Sequence, residues 1–166
     1  MVTKAEIKKN HIMEYLTDEM LEKIVPVLEL VKVKSGDVIF KRGDAAEDLY
    51  ILKSGKVLLE QKLSDQIIVT ISSIDPGETF GWAVLLDDGF HSVTAICNEA
   101  AEMYVCSRDE LLSIMDNDHS IGYLIMKQVA TVLKNRLDQR TVQFLSSMNT
   151  HPDIHDLEES RNIQDS

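Results

Sequence analysis

At 166 residues the chain is long enough for one domain with a real core and cramped for two. Hydrophobic residues make up 44% and charged residues 27%, the balance of an ordinary globular protein. A net charge of −11 argues against nucleic acid as the main partner, since phosphate contacts need Lys and Arg, and disfavours adhesion to an anionic membrane surface.

The N-terminus "MVTKAEIKKNHIMEYL" is charged throughout and has no apolar signal core. Apolar runs such as "WAVLL" and "YLIM" are too short to span a bilayer, so a cytoplasmic location is expected. Residues 1–29 read as helical. "TDEMLEKIVPVLE" offers Thr17 as an N-cap, places Asp18 and Glu19 where the helix dipole favours anions, and spaces Met20, Leu21, Ile24 and Val25 along one face. Pro26 supplies no backbone donor, so a kink or an end is expected there.

Residues 30–106 read as strands and turns. Short apolar runs alternate with "SGD", "RGDAAED", "KSGK", "LSD", "DPGE" and "DDG", the rhythm of an all-β sandwich or barrel. "KVLLEQKL" and "IIVTISSI" carry alternating apolar positions, as expected of strands with one buried face. Gly36, Gly43, Gly55 and Gly77 sit between such runs, where the backbone is free to take φ > 0. Cys97 and Cys106 flank a turn at "NEAAE" and read either as a redox pair or as small buried strand residues.

The stretch "GETFGWAVLLDDGFHSVTA" combines a flexible turn with a short apolar segment, a place where backbone N–H groups can gather around an anion. Yet its charged side chains are acidic, with no Lys or Arg anywhere from Leu63 to Ser107.

Residues 107–148 return to helix. Ser107 precedes Glu110 at capping-box spacing. A long helix is then expected over about residues 120–148, about 43 Å at 1.5 Å per residue. Met126, Val129, Leu133, Leu137, Phe144 and Met148 form its stripe, interrupted at Arg140 and widened at its start by Ile121, Leu124, Ile125 and Val132. Its distal half outruns a small domain, so a second copy of the chain is the expected partner. Residues 149–166 are acidic and expected to be disordered. His151 and His155 there have the spacing of one helical face, a poor metal framework beside Pro152.

The order of parts resembles the cyclic-nucleotide-binding domain superfamily, of the catabolite-activator type. "KSGDVIFKRGDAAEDLYILKSGKVLL" resembles the opening of its β-roll, with glycines at Gly36, Gly43 and Gly55 and an aromatic–aliphatic pair at Tyr50 and Ile51. "DPGETFG" resembles the turn into the phosphate-binding cassette. "AEMYVCSRDELLSIMDND" and the helix after it resemble the exit strand, short helix and dimerising helix. The resemblance spans about Leu16 to Leu137. It implies a mainly β fold, a double-stranded β-helix or jelly roll with flanking helices. The domain is then residues 1–145, followed by the tail.

In nucleotide-binding members a cassette Glu accepts from the ribose hydroxyl and an Arg pairs with the cyclic phosphate, a task suited to its fork of donors. Here the Glu position reads Trp82, and the Arg position reads His91, or Phe90 if the loop differs by one residue. The candidate ligand-binding residues are therefore Gly81, Trp82, Ala83, Val84, His91, Ser92 and Val93. Trp82 either fills the pocket as core or stacks on a flat ligand. Lys53, Lys56, Lys62 or Arg108 could reach in as a substitute cation, and Asn135 or Arg136 lies in the region that contacts the base in the family.

The resemblance thus implies a non-catalytic regulatory or sensor module, a homodimer without cofactor, not expected to bind cyclic AMP or cyclic GMP in the usual way. The alternatives are a dimeric interaction protein with a vestigial pocket filled by Trp82, or an unconventional cyclic-nucleotide or anion binder. Direct DNA binding is not expected, because the segment after the long helix is short and acidic. Enzymatic activity is not expected either: His91 is the lone histidine of the β region, and no triad order stands out.

Overall fold

The computed structural model describes residues 2–87 and 89–149, the side chain of Asn149 excepted. The tail, with His151 and His155, lies outside the described residues. Helix α1 (Lys4–Ile7) is one turn held by a capping box that sequence reading missed: Glu6 N–H donates to the Thr3 hydroxyl at 3.3 Å while the Glu6 carboxylate accepts from Thr3 N–H at 3.3 Å. Helix α2 (Asp18–Ile24) starts as expected, with Met20 N–H donating to the Thr17 hydroxyl at 3.3 Å, and buries Leu21 and Ile24. The helix ends at Pro26, which falls in a single 3-10 turn, Val25–Val27.

Eight strands follow: β1 (Glu29–Val33), β2 (Val38–Phe40), β3 (Asp48–Ser54), β4 (Val57–Lys62), β5 (Ile68–Ile74), β6 (Thr79–Phe80), β7 (Thr94–Cys97) and β8 (Ala101–Ser107). They make two sheets, ordered β1-β8-β3-β6 and β2-β7-β4-β5, with every pairing antiparallel. Strands adjacent in space are mostly distant in sequence, the crossing pattern of a jelly roll. One core lies between the sheets, built from Leu52, Phe80 and Met103 of the first and Phe40, Val57, Leu59, Ile74 and Ala95 of the second. At ~25 cal/mol per Å² of apolar area removed from water, each of these side chains larger than Ala95 contributes about 1.5–3 kcal/mol.

Gly36, Gly43, Gly55 and Gly77 all adopt φ near +90°, as their positions between strands require. At Gly55 space demands glycine as well, since a Cβ would lie 2.5 Å from the Ala100 carbonyl oxygen.

β4 alternates as expected, with Val57 and Leu59 inward, but β5 does not. Ile68, Val69 and Thr70 are all exposed. β5 is an edge strand, and its first residues pair only with Gln61 and Lys62 at the far end of β4, beyond the core cluster. The apolar pattern there marks an exposed hairpin rather than a buried face.

Helix α3 (Arg108–Asn117) is capped by Ser107, whose oxygen accepts from Glu110 N–H at 3.4 Å and whose hydroxyl donates to the Glu110 carboxylate at 2.7 Å. Helix α4 (His119–Asn149) is a continuous 31-residue helix. The chain divides into two compact units between Gln128 and Val129. In the first unit, α4 buries Ile121 and Ile125 completely. In the second, Leu133, Leu137, Val142, Phe144, Leu145 and Met148 are all exposed. No described helix is long and apolar enough to cross a membrane.

Candidate ligand-binding cassette

β6 leads into the cassette, and Gly81 begins it. Its φ of +85° is left-handed, and a Cβ there would stand 2.8 Å from the Tyr50 ring and 2.9 Å from the Asp48 carbonyl oxygen. Only glycine admits that approach. A 3-10 turn, Trp82–Leu85, comes next. Its four residues bury Val84 and leave Trp82 and Ala83 partly exposed. The Trp82 indole N–H is itself buried and has no acceptor.

The turn is clamped from the far side by Arg108, at the start of α3. Its guanidinium donates to the carbonyls of Val84 and Leu86. Arg108 therefore serves the backbone of the cassette and is not a spare cation. The other candidate cations are also engaged: Lys53 lies 3.4 Å from Glu6 and 3.7 Å from Glu102, Lys56 lies 3.4 Å from Asp75, and Lys62 lies 2.6 Å from Asp65. Asn135 and Arg136 lie on α4 in the second unit.

The return segment turns Phe90 and His91 in opposite directions. Residues 89–91 pair antiparallel with residues 43–46 through Gly43 N–H to the His91 carbonyl (2.8 Å), His91 N–H to the Asp44 carbonyl (2.9 Å) and Ala46 N–H to the Gly89 carbonyl (2.6 Å). Side chains alternate along such a ladder. Phe90 consequently faces solvent, 64% exposed, while His91 faces inward and is 5% exposed. Ser92 is exposed and Val93 packs on the core.

Inside, the His91 imidazole lies flat on the Phe40 ring, with centroids 3.6 Å apart and planes 7° from parallel. Phe40 in turn meets Tyr50 at 5.8 Å and Phe80 at 6.1 Å, and Tyr50 stacks on Phe80 at 5.0 Å. Burial pushes the His91 pKa below its ordinary value, against the weaker opposing pull of Asp44 and Asp48. That direction favours the neutral ring at pH 7. Sequence reading found His91 but missed Phe40 as its partner, because nothing local links two residues so far apart in the chain.

Beside the cassette lies a cleft of about 590 Å³, whose lining includes Glu47, Asp48, Asp87, Phe90, Arg108 and Asp109. Four carboxylates against one engaged guanidinium make it hostile to an anion. Both cysteines are free and buried, on strands of different sheets; burial raises the Cys97 pKa and pushes that of Cys106 up to about 12, the opposite of what a reactive thiol needs.

A family model for the cyclic nucleotide-binding domain matches residues 30–118, from β1 to the end of α3. The chain belongs to the cyclic nucleotide-binding domain family. It is 30% identical over 127 residues to the cyclic AMP receptor protein of Thermus thermophilus, covering 76% of this chain and 53% of that protein. The chain therefore spans about half the length of this curated relative. Among solved structures it is similar to a protein of Geobacter metallireducens described as cyclic-nucleotide-binding, with 26% identity, a TM-score of 0.74 and coverage of 82% of this chain and 99% of that one. It is also similar to the catabolite activator protein of Thermus thermophilus, with 26% identity, a TM-score of 0.69 and coverage of 92% and 66%. Within this cyclic nucleotide-binding domain the β-roll is complete and the cassette is in place.

Proposed function

We propose that this cyclic nucleotide-binding domain is a non-catalytic regulatory module whose cassette does not grip cyclic AMP or cyclic GMP in the usual way. One observation carries the reading: His91, which the resemblance aligns with the phosphate-pairing Arg, is buried and stacked on Phe40 inside the roll, where desolvation favours the neutral ring. A neutral imidazole committed to an aromatic core offers no fixed charge to a cyclic phosphate. Trp82, in place of the ribose-binding Glu, has a donor where an acceptor is needed. Trp82 is the chain's sole tryptophan, so its fluorescence reports directly on the cassette. Titration with cyclic AMP and with cyclic GMP, followed by Trp82 fluorescence and by calorimetry, should give no binding in the micromolar range. Micromolar binding of either overturns the reading.

A second reading, an occupied pocket, is favoured by the Trp82 indole N–H. A buried donor without an acceptor costs about 1–3 kcal/mol, which an occupant carrying a carbonyl or hydroxyl oxygen would recover. Such a ligand would be small, flat and uncharged, and a calorimetric panel of neutral metabolites tests it. Under either reading the exposed stripe of Leu133, Leu137, Phe144 and Met148 supports pairing of α4 with that of a second copy, the route by which events at the cassette would be communicated.

A further inference from the structure

The hairpin of β4 and β5 leaves one edge of the second sheet open. Among the described residues β5 pairs with β4 alone. The direction of its backbone groups follows from the register. Leu63 N–H donates to the Ile67 carbonyl at 2.9 Å, and the pairs Lys62–Ile68, Gln61–Val69 and Glu60–Thr70 continue that ladder. Residues of an antiparallel strand turn alternately towards and away from their neighbour, so Val69 bonds towards β4 while Ile68 and Thr70 present N–H and C=O groups to the open side. The register shift opposite Leu59 and Glu60 ends this regular stretch just after Thr70.

Open edges in natural sheets are guarded by a charged side chain, a proline or a bulge. Here the bulge lies beyond Thr70, and no charged residue and no proline occurs from Gln66 to Ile74. Beside the turn, Lys62 and Asp65 neutralise each other at 2.6 Å. Ile67, Ile68 and Val69 are 51%, 65% and 44% exposed, so both faces of the strand are apolar and uncovered.

We propose that β5 pairs antiparallel with β5 of a second copy of the chain, about a two-fold axis at Val69. Charge selects the occupant. Two copies of net charge −11 repel where their acids face each other, and an uncharged strip is where they meet without that penalty. Symmetry selects the register. Ile68 and Thr70 flank Val69, so in this register the open groups of Ile68 meet those of Thr70 in the other copy, and each finds a partner. The apolar side chains of Ile67, Ile68 and Val69 are partly covered in the same step. The strip is short against what a stable dimer buries, so the contact is weak and concentration-dependent. It is separate from the pairing of α4 and does not rest on it.

A covalent trap reads so weak a contact. Val69 would face itself with Cα atoms about 4.5 Å apart, inside the span of about 4.4–6.8 Å that a disulfide bridges. Val69→Cys, oxidised at high protein concentration, should therefore form a covalent dimer, while Cys97 and Cys106 are buried and take no part. Thr70→Cys would face position 68 of the other copy and should not cross-link, and neither should Val38→Cys at the opposite edge of the sheet. Adding Thr70→Pro to Val69→Cys removes an open N–H, and adding Ile68→Lys supplies the missing guard charge. Each should lower the yield about 10-fold or more. Neither touches the core or a bond to β4, and the two together keep the test sound if one fails to fold. The trap should work equally with Leu137→Asp present, which separates it from the pairing of α4. Val69→Cys cross-linking no faster than Thr70→Cys or Val38→Cys overturns the proposal and leaves the edge to an extended segment of a different protein. Trapping that survives both Ile68→Lys and Thr70→Pro overturns it too.

Discussion

Replacing His91 by Phe tests whether the imidazole is a buried neutral ring. The variant keeps a planar ring against Phe40, whose centroid lies 3.6 Å from that of His91, and removes the titration. Burial lowers the native pKa of His91, so the folded protein keeps the ring neutral while the unfolded chain binds a proton below about 6.5. The contribution of His91 is then fully present above the unfolded value and is lost as pH falls from there towards the lowered native value. Within that window the loss approaches about 1.4 kcal/mol per pH unit, the limit for one proton. Asp44 and Asp48 oppose this trend but are outweighed by desolvation. Other carboxylates titrate alike in both proteins and cancel in the difference. Urea unfolding followed by Trp82 fluorescence, at about pH 7.5, 6.5 and 5.5, supplies that difference. The wild type should lose stability relative to His91→Phe by up to about 1.4 kcal/mol over the lower pH unit. A difference that stays constant would refute the buried neutral ring. A difference of opposite sign, with the wild type gaining as pH falls, would mean that the site holds an imidazolium and can grip an anion after all.

The geometry sets three further outcomes. Gly81→Ala forces a Cβ to within 2.8 Å of the Tyr50 ring at a left-handed φ and should cost on the order of 3 kcal/mol in urea unfolding, whereas Gly36→Ala, with nothing within 4 Å, should cost about 1 kcal/mol for its φ alone. Arg108→Met removes both hydrogen bonds to the cassette carbonyls and should cost about 1–3 kcal/mol, with a shift in the Trp82 emission maximum as the turn loosens. Leu137→Asp places a charge on a side chain that is 66% exposed, so the first unit should keep its melting temperature while light scattering shows monomer where the proposed pairing of α4 gives a dimer for the wild type.

Much of the fold is legible in the chain because its signals are local. Thr17, Pro26 and Ser107 mark helix ends through bonds or steric limits within a few residues, and each acts where the sequence places it. The glycines between strands declare a backbone conformation by themselves. The β5 hairpin misleads for the complementary reason. Alternation in Ile68–Ile74 states that the strand has two faces, but whether either is covered depends on its place at the edge of the sheet, which is a property of the whole roll.

On the proposed reading, the side chains of the cassette form a consistent set. An Arg at position 91 would need a phosphate, a carboxylate or water for its guanidinium, and on the inward face it would meet Phe40 instead. A His can abandon its charge and join the aromatic cluster of Phe40, Tyr50 and Phe80, at the modest cost of a lowered pKa. An indole at position 82 likewise adds no carboxylate to a cassette whose neighbouring cleft already carries Asp48 and Asp87. Arg108 completes the arrangement by binding carbonyls of the turn, which holds the cassette in shape through the protein's own side chains. Restoring the Arg alone should therefore destabilise the roll before it restores binding.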